Sequence, residues 1–175
     1  MRPRNYKADR KATADGQHPY AIVLACADSR VPPNILFDES LGKLFVVRVA
    51  GNVVDPVVLG SIEYAAEHLH VETLLVLGHE SCGAVQATLE GGKFPPNIEA
   101  LVKRIEPAAE EAKKAGLGPT KTLNLAIRLN VFLQVEQAVE QSEVLKELVH
   151  EHKLRIVGGI YNLHTGRVEF LRPRA

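Results

Sequence analysis

Apolar residues along this chain fall into runs of two kinds. Residues 20–26 (YAIVLAC), 44–49 (LFVVRV) and 73–78 (TLLVLG) are short, nearly continuous apolar stretches, the pattern of strands covered on both faces. Elsewhere the period lengthens. Val58, Ile62, Ala65, Ala66 and Leu69 recur at helical spacing behind Pro56, a residue suited to the first turn of a helix. Residues 83–89 read as a second helix, stopped by Gly91 and Gly92. Residues 98–115 and 123–149 are helical in composition and period, and 155–163 and 168–171 close the chain as strands around a turn at Thr165 and Gly166. The first 19 residues are polar and carry turn formers, so they read as an arm or short helix.

Strands alternating with helices predict an α/β fold: a single domain with a mainly parallel central sheet flanked by helices. The expected organisation is an arm over 1–16, then one domain over 17–175. No internal repeat or low-complexity linker divides it. In such sheets ligands bind beyond the carboxyl ends of the strands. Cys26 ends the first strand and His79 follows the third, so neighbouring parallel strands would gather both at one edge.

Composition narrows the functions. Lys plus Arg and Asp plus Glu both number 21, which gives no electrostatic reason to expect a nucleic-acid or anionic-membrane partner. No apolar run approaches the ~20 residues of a membrane span. The basic, polar start shows no signal peptide; a cytoplasmic address is the expectation for cysteines kept as reduced ligand thiols, with the periplasm after removal of an unseen leader as the alternative.

Cys26 and Cys82 are the only cysteines. A disulfide is one reading. The other is that Cys26, His79 and Cys82 hold a metal. Zinc favours thiolate and imidazole donors, and a catalytic site keeps three protein ligands and one open position. The pair His79 and Cys82 spans a strand-to-helix turn, and a helix start favours a thiolate. An H-x-x-C pair alone is a weak signal; with a cysteine ending a second strand it is stronger.

The segments ACADSRVPP (25–33), LFVVRVAGN (44–52) and GHESCGAV (78–85), followed by VGGIYN (157–162), resemble the β-class carbonic anhydrases in order and from about 17 to 171. The resemblance implies one zinc ion per chain on Cys26, His79 and Cys82, with Asp28 and Arg30 as a catalytic pair. It implies reversible hydration of CO2 by a zinc-bound hydroxide. Two thiolates cancel the ion's charge, so Asp28 is needed to accept the nucleophile's hydrogen bond, and Arg30 keeps that carboxylate off the metal.

The family also shapes an apolar cleft at a dimer interface, which by position falls to Gln17, Phe45 and Tyr64, with small Ala50 and a backbone N–H at Gly83. Self-association as a homodimer or dimer of dimers follows, and the arm here reads as truncated. A tryptophan marks the members with a regulatory bicarbonate site; Val23 stands there instead, so Arg48 and Tyr161 are read as structural and no such switch is expected. His18 and Glu80 are the candidates for moving the released proton, though an exposed surface role suits both. Asn34, Glu39, Ser40 and Lys43 depart from the family pattern at solvated positions. Two other functions share the zinc site: hydrolysis of CS2 or COS, and an inactive zinc-binding scaffold, which would not need Asp28 and Arg30.

Overall fold

The computed structural model describes residues 5–172, so the first four residues of the expected arm lie outside it. Five strands form one sheet in the order β2-β1-β3-β4-β5, with β1 Ala21–Ala25, β2 Leu44–Arg48, β3 Thr73–His79, β4 Arg155–Tyr161 and β5 Val168–Phe170. The first four are mutually parallel and β5 returns antiparallel along β4. The two long-range pairings matter most. Ala25 is level with Leu77, so one step further along the sheet brings Cys26 beside the Gly78–His79 end of β3.

Alternation along the strands divides the core. Ile22, Leu24, Leu74 and Val76 face one side, packed with Val58, Leu59 and Ile62 of α3 (Pro56–Glu63), Val131 and Ala138 of α6 (Pro119–Glu140) and Leu145 of α7 (Glu143–His150). Ala21, Val23, Ala25, Leu75 and Leu77 face the other, where Leu36 of the short α2 (Pro33–Leu36) and Phe37 pack. The helices are thus unevenly shared between the two faces. α6 lies so close to the sheet that a Cβ on Gly78 or Gly158 would come within 2.6 or 2.8 Å of Val131. Glycine is required at both crossings.

Helix ends follow local chemistry. Asp55 caps α3, accepting from Val57 N and Val58 N at 2.9 and 2.8 Å, with Pro56 at the first turn. α3 runs on into a π-helical turn, Tyr64–His68, which carries the expected apolar face to the sheet. α4 (Gly83–Glu90) stops at Gly91, which takes φ +70°. α5 spans Pro96–Lys114.

The single helical stretch expected over 123–149 is two helices. Ser142 breaks it: its Oγ accepts from Leu145 N at 3.1 Å as the cap of α7 and donates to Glu63 Oε1 at 2.6 Å. The expected N-terminal arm contains α1 (Tyr6–Ala12), capped by Asn5, with no buried residue and a hydrogen bond between Asp9 and Ser40. Among the described residues, no helix is long and apolar enough to cross a membrane.

Candidate metal centre

Cys26 is the residue after β1, His79 the last of β3 and Cys82 the cap of α4. The sheet register and the tight turn between His79 and Cys82 bring their donor atoms within 4.8 Å of one another. All three are buried, at 4%, 1% and 1% exposure, and the sulfurs are free thiols rather than a disulfide. Bond lengths of about 2.3 Å to sulfur and 2.1 Å to nitrogen put tetrahedral donors roughly 3.6–3.8 Å apart, so these need only a slight contraction to share zinc.

His79 supplies the sharpest test of that fit. Its Nδ1 lies 2.8 Å from the Glu80 carbonyl oxygen, which can only accept, so the proton sits on Nδ1. Nε2 is left as a bare lone pair, buried and without a partner. Such an atom is costly in a core unless something electrophilic meets it. The donor set fits zinc.

The sulfurs sit in different surroundings. Gly51 N donates to Cys26 Sγ at 3.3 Å. Cys82 receives the N–H groups of Ala84 and Val85 at the start of α4, as a helix N-terminus should provide. Without a cation the two thiols share a charge: the hydrogen bond from Cys82 holds Cys26 well below the usual thiol range, and the resulting thiolate pushes Cys82 up. Burial works against a charged His79, but the negative charge of nearby Cys26, with the Glu80 carbonyl and the Asp28 carboxylate, outweighs it and raises its pKa. A divalent cation held by both sulfurs would remove this competition, since each could then be a thiolate.

Asp28 and Arg30 stand beside the trio. Arg30 grips the carboxylate with a fork, Nε to Oδ1 at 2.9 Å and Nη2 to Oδ2 at 2.7 Å, while its backbone N also donates to Oδ1 at 2.9 Å. The side-chain hydrogen bonds from Arg30 hold the Asp28 carboxyl well below the usual carboxylate range. Asp28 Oδ2 lies 3.9 Å from His79 Nε2, so a carboxylate oxygen borders the donor cluster. Arg48 supports this loop from β2: Nε donates to the Cys26 carbonyl at 3.0 Å and Nη2 to the Asp28 carbonyl at 2.6 Å.

The expected cleft residues are more scattered. Ala50 opens a 3-10 turn, Ala50–Asn52, just before Gly51, whose N–H meets the Cys26 sulfur, and Gly83, the exposed first residue of α4, follows Cys82. Gln17 is exposed. Phe45 and Tyr64 touch each other, ring centroids 6.3 Å apart, and Phe45 packs with the α3 face of the core rather than with the apolar cluster around the cysteines. The single chain therefore brings these two rings together but does not join them to the donors.

Of the proton-carrier candidates, His18 is exposed. Glu80 is not a free surface group: its carboxylate accepts from Asn162 Nδ2 at 2.8 Å and Leu163 N at 3.2 Å, tying the β4–β5 turn to the neighbour of His79.

Two site-adjacent residues escaped the sequence reading. Asn130 and Gln134, both 1% exposed, lie on α6 among apolar neighbours and hydrogen-bond to the segment carrying Gly51. Their signal was available, as two amides four residues apart on a helix face otherwise built from Ala126, Ile127, Val131 and Ala138.

Known proteins align with this arrangement throughout. A family model described as carbonic anhydrase matches residues 21–168. A carbonic anhydrase of Mycolicibacterium smegmatis is 42% identical over 164 residues, covering 91% of this chain and 78% of its own length. A β-carbonic anhydrase structure from Aspergillus fumigatus superposes with a TM-score of 0.88 at 27% identity, over 97% of this chain and 83% of that one. A tetrameric β-carbonic anhydrase from Sordaria macrospora gives a TM-score of 0.84 at 26% identity, covering 95% and 89%. The chain belongs to the β-carbonic anhydrases, lyases that hydrate CO2.

Proposed function

We propose that this chain interconverts CO2 and bicarbonate, with release of a proton, on one zinc ion held by Cys26, His79 and Cys82. The observation that carries the proposal is the buried lone pair of His79 Nε2, set between two free thiols with the clamped Asp28 carboxylate at its border. Bound zinc would supply the nucleophile, a hydroxide formed from its water.

The residues do the rest. Asp28, kept ionised and held by two arms of Arg30, offers an acceptor that orients the nucleophile's hydrogen, leaving a lone pair for CO2. The same grip prevents the carboxylate from turning onto the ion. CO2 carries no charge, so an apolar pocket beside the centre suits it. Gln17, Phe45, Ala50, Tyr64 and Gly83 form that pocket in our reading, with Phe45 and Tyr64 supplied across a homodimer interface. A homodimer or dimer of dimers is the matching assembly, and the tetrameric Sordaria protein supports it.

The intact Asp28–Arg30 pair argues against a purely structural zinc, and relatives that are carbonic anhydrases favour CO2 over CS2 or COS. Stopped-flow assay of the zinc-loaded protein tests this. CO2 hydration is expected in the wild type, and Asp28→Ala should lower kcat on the order of 10²-fold while keeping one zinc per chain. A wild-type protein that binds zinc but leaves CO2 untouched, or an Asp28→Ala variant as fast as wild type, would overturn it.

A further inference from the structure

α6 is buried against the sheet, and most of its inward positions are apolar, yet Asn130 and Gln134 bury whole amides there. A buried amide is tolerated only when its donors and acceptors find partners. Here the partners fix both orientations. Val54 N–H can only donate, so the Gln134 atom facing it at 2.9 Å is Oε1. The Arg104 carbonyl of α5 can only accept, so the atom 3.2 Å away is Nε2. Nε2 also donates to Asn130 Oδ1 at 3.0 Å, which leaves Asn130 Nδ2 to donate to the Gly51 carbonyl at 2.8 Å. On that same residue, Gly51 N–H points at Cys26 Sγ. Hydrogen bonds from α5 and α6 thus reach the Gly51 carbonyl, and across that residue's own backbone its N–H meets a ligand sulfur.

The turn these bonds hold has little room to move. Gly51 sits at φ +72°, where a side chain is strained, and a Cβ there would come within 2.6 Å of Ile105 Cδ1 on α5. Ile105 closes one side and Asn130 anchors the carbonyl from α6. If packing were the sole requirement, apolar side chains of similar size could fill both α6 positions at little cost. What apolar side chains cannot do is set the direction of one N–H.

We infer that Asn130 and Gln134 are positioning residues for the metal centre: by anchoring the Gly51 carbonyl they hold that residue's backbone, so that its N–H, on the preceding peptide unit, stays aimed at the Cys26 sulfur and sets the direction and donor strength of that ligand. The inference rests on the reading of Cys26, His79 and Cys82 as a zinc site. An N–H···S bond draws charge from the sulfur and fixes where its remaining lone pairs point. Its loss leaves a more electron-rich, less directed ligand.

Two readouts other than activity test this, zinc affinity by chelator competition and the sulfur-to-metal charge-transfer band of the cobalt(II)-loaded protein. Asn130→Leu should weaken zinc binding roughly tenfold and move that band to longer wavelength. Val131→Ala, one residue along α6 but packed on the sheet, should lower the melting temperature and move neither. Should Asn130→Leu not fold, Asn130→Ser, too short to reach Gly51, takes its place with the same expected shifts. In cadmium-113-loaded wild type, the Gly51 amide proton should couple to the metal through the sulfur. An unchanged band and affinity in the Asn130 variant, equal shifts in Val131→Ala, or no coupling at Gly51 would each overturn the inference. Failure of the wild type itself to bind zinc or cobalt would instead sink the metal-centre reading and this inference with it.

Discussion

The two ends of the parallel sheet differ in a way that empty space misrepresents. At the amino end, a cavity of about 560 Å3 opens between the π-helical turn and α7, lined among others by Glu67, His70, Glu72, Glu147, Glu151 and Lys153. Its charged groups are exposed, and the Glu151–Lys153 pair at 2.7 Å is bathed in solvent. At the carboxyl end, three donor atoms crowd within 4.8 Å and are almost wholly buried. Water screens and satisfies the first set, so its charges do little. The second set has lost its water, and one nitrogen lacks any replacement. The candidate site is marked by desolvated, under-partnered atoms rather than by volume.

The comparison can be broken most directly by removing a donor. Cys82→Ser should abolish stoichiometric zinc, measured by elemental analysis, and reduce CO2 hydration to background; retained metal would mean the trio is not the site. A smaller effect is expected at the border. Arg30→Lys keeps the charge but loses the fork on Asp28, and should lower kcat roughly tenfold with zinc retained, since a point-charge ammonium cannot grip both oxygens. Full activity would show that the clamp is dispensable.

The smallest effect belongs to the amino end. Lys153 holds the Glu151 carboxyl below its ordinary value, and Glu151 raises Lys153. Their mutual stabilisation is therefore fully present between the unfolded Glu value of about 4.3 and the unfolded Lys value of about 10.4, and is lost as pH falls through the lowered Glu151 value or rises through the raised Lys153 value. Because both are exposed, Glu151→Gln should leave kcat and stability at pH 7 nearly unchanged. Any difference in melting temperature should vanish once the pH has fallen through the lowered Glu151 value. A large loss of activity would mean the two ends communicate.

Much of this was legible in the chain's pattern, for reasons that particular residues make clear. The strand at 21–25 is buried on both faces, so its apolar run is continuous and easy to read. Cys26 and His79 could be placed at one edge because parallel neighbours align their carboxyl ends. The break at Ser142 was missed because helical composition continues across it, and only a side-chain cap marks the change. Phe45 and Tyr64 were identified by position but not by neighbourhood, since a single chain leaves them beside each other on another part of the core. Asn130 and Gln134 stand out as two amides on an apolar helix face, but what they hold does not: the Gly51 carbonyl and Val54 N–H lie some eighty positions earlier, a relation that no periodicity carries.

The strand order has a kinetic corollary. Cys26 reaches the end of β3 only after distant stretches of chain have paired, and such non-local pairing is the slow part of folding. The adjacent His79 and Cys82 can seize an ion early, as a loose two-armed chelate, but the third arm arrives with the sheet. Tight capture would thus be a late event, and a bound metal would seal a nearly finished structure instead of seeding one.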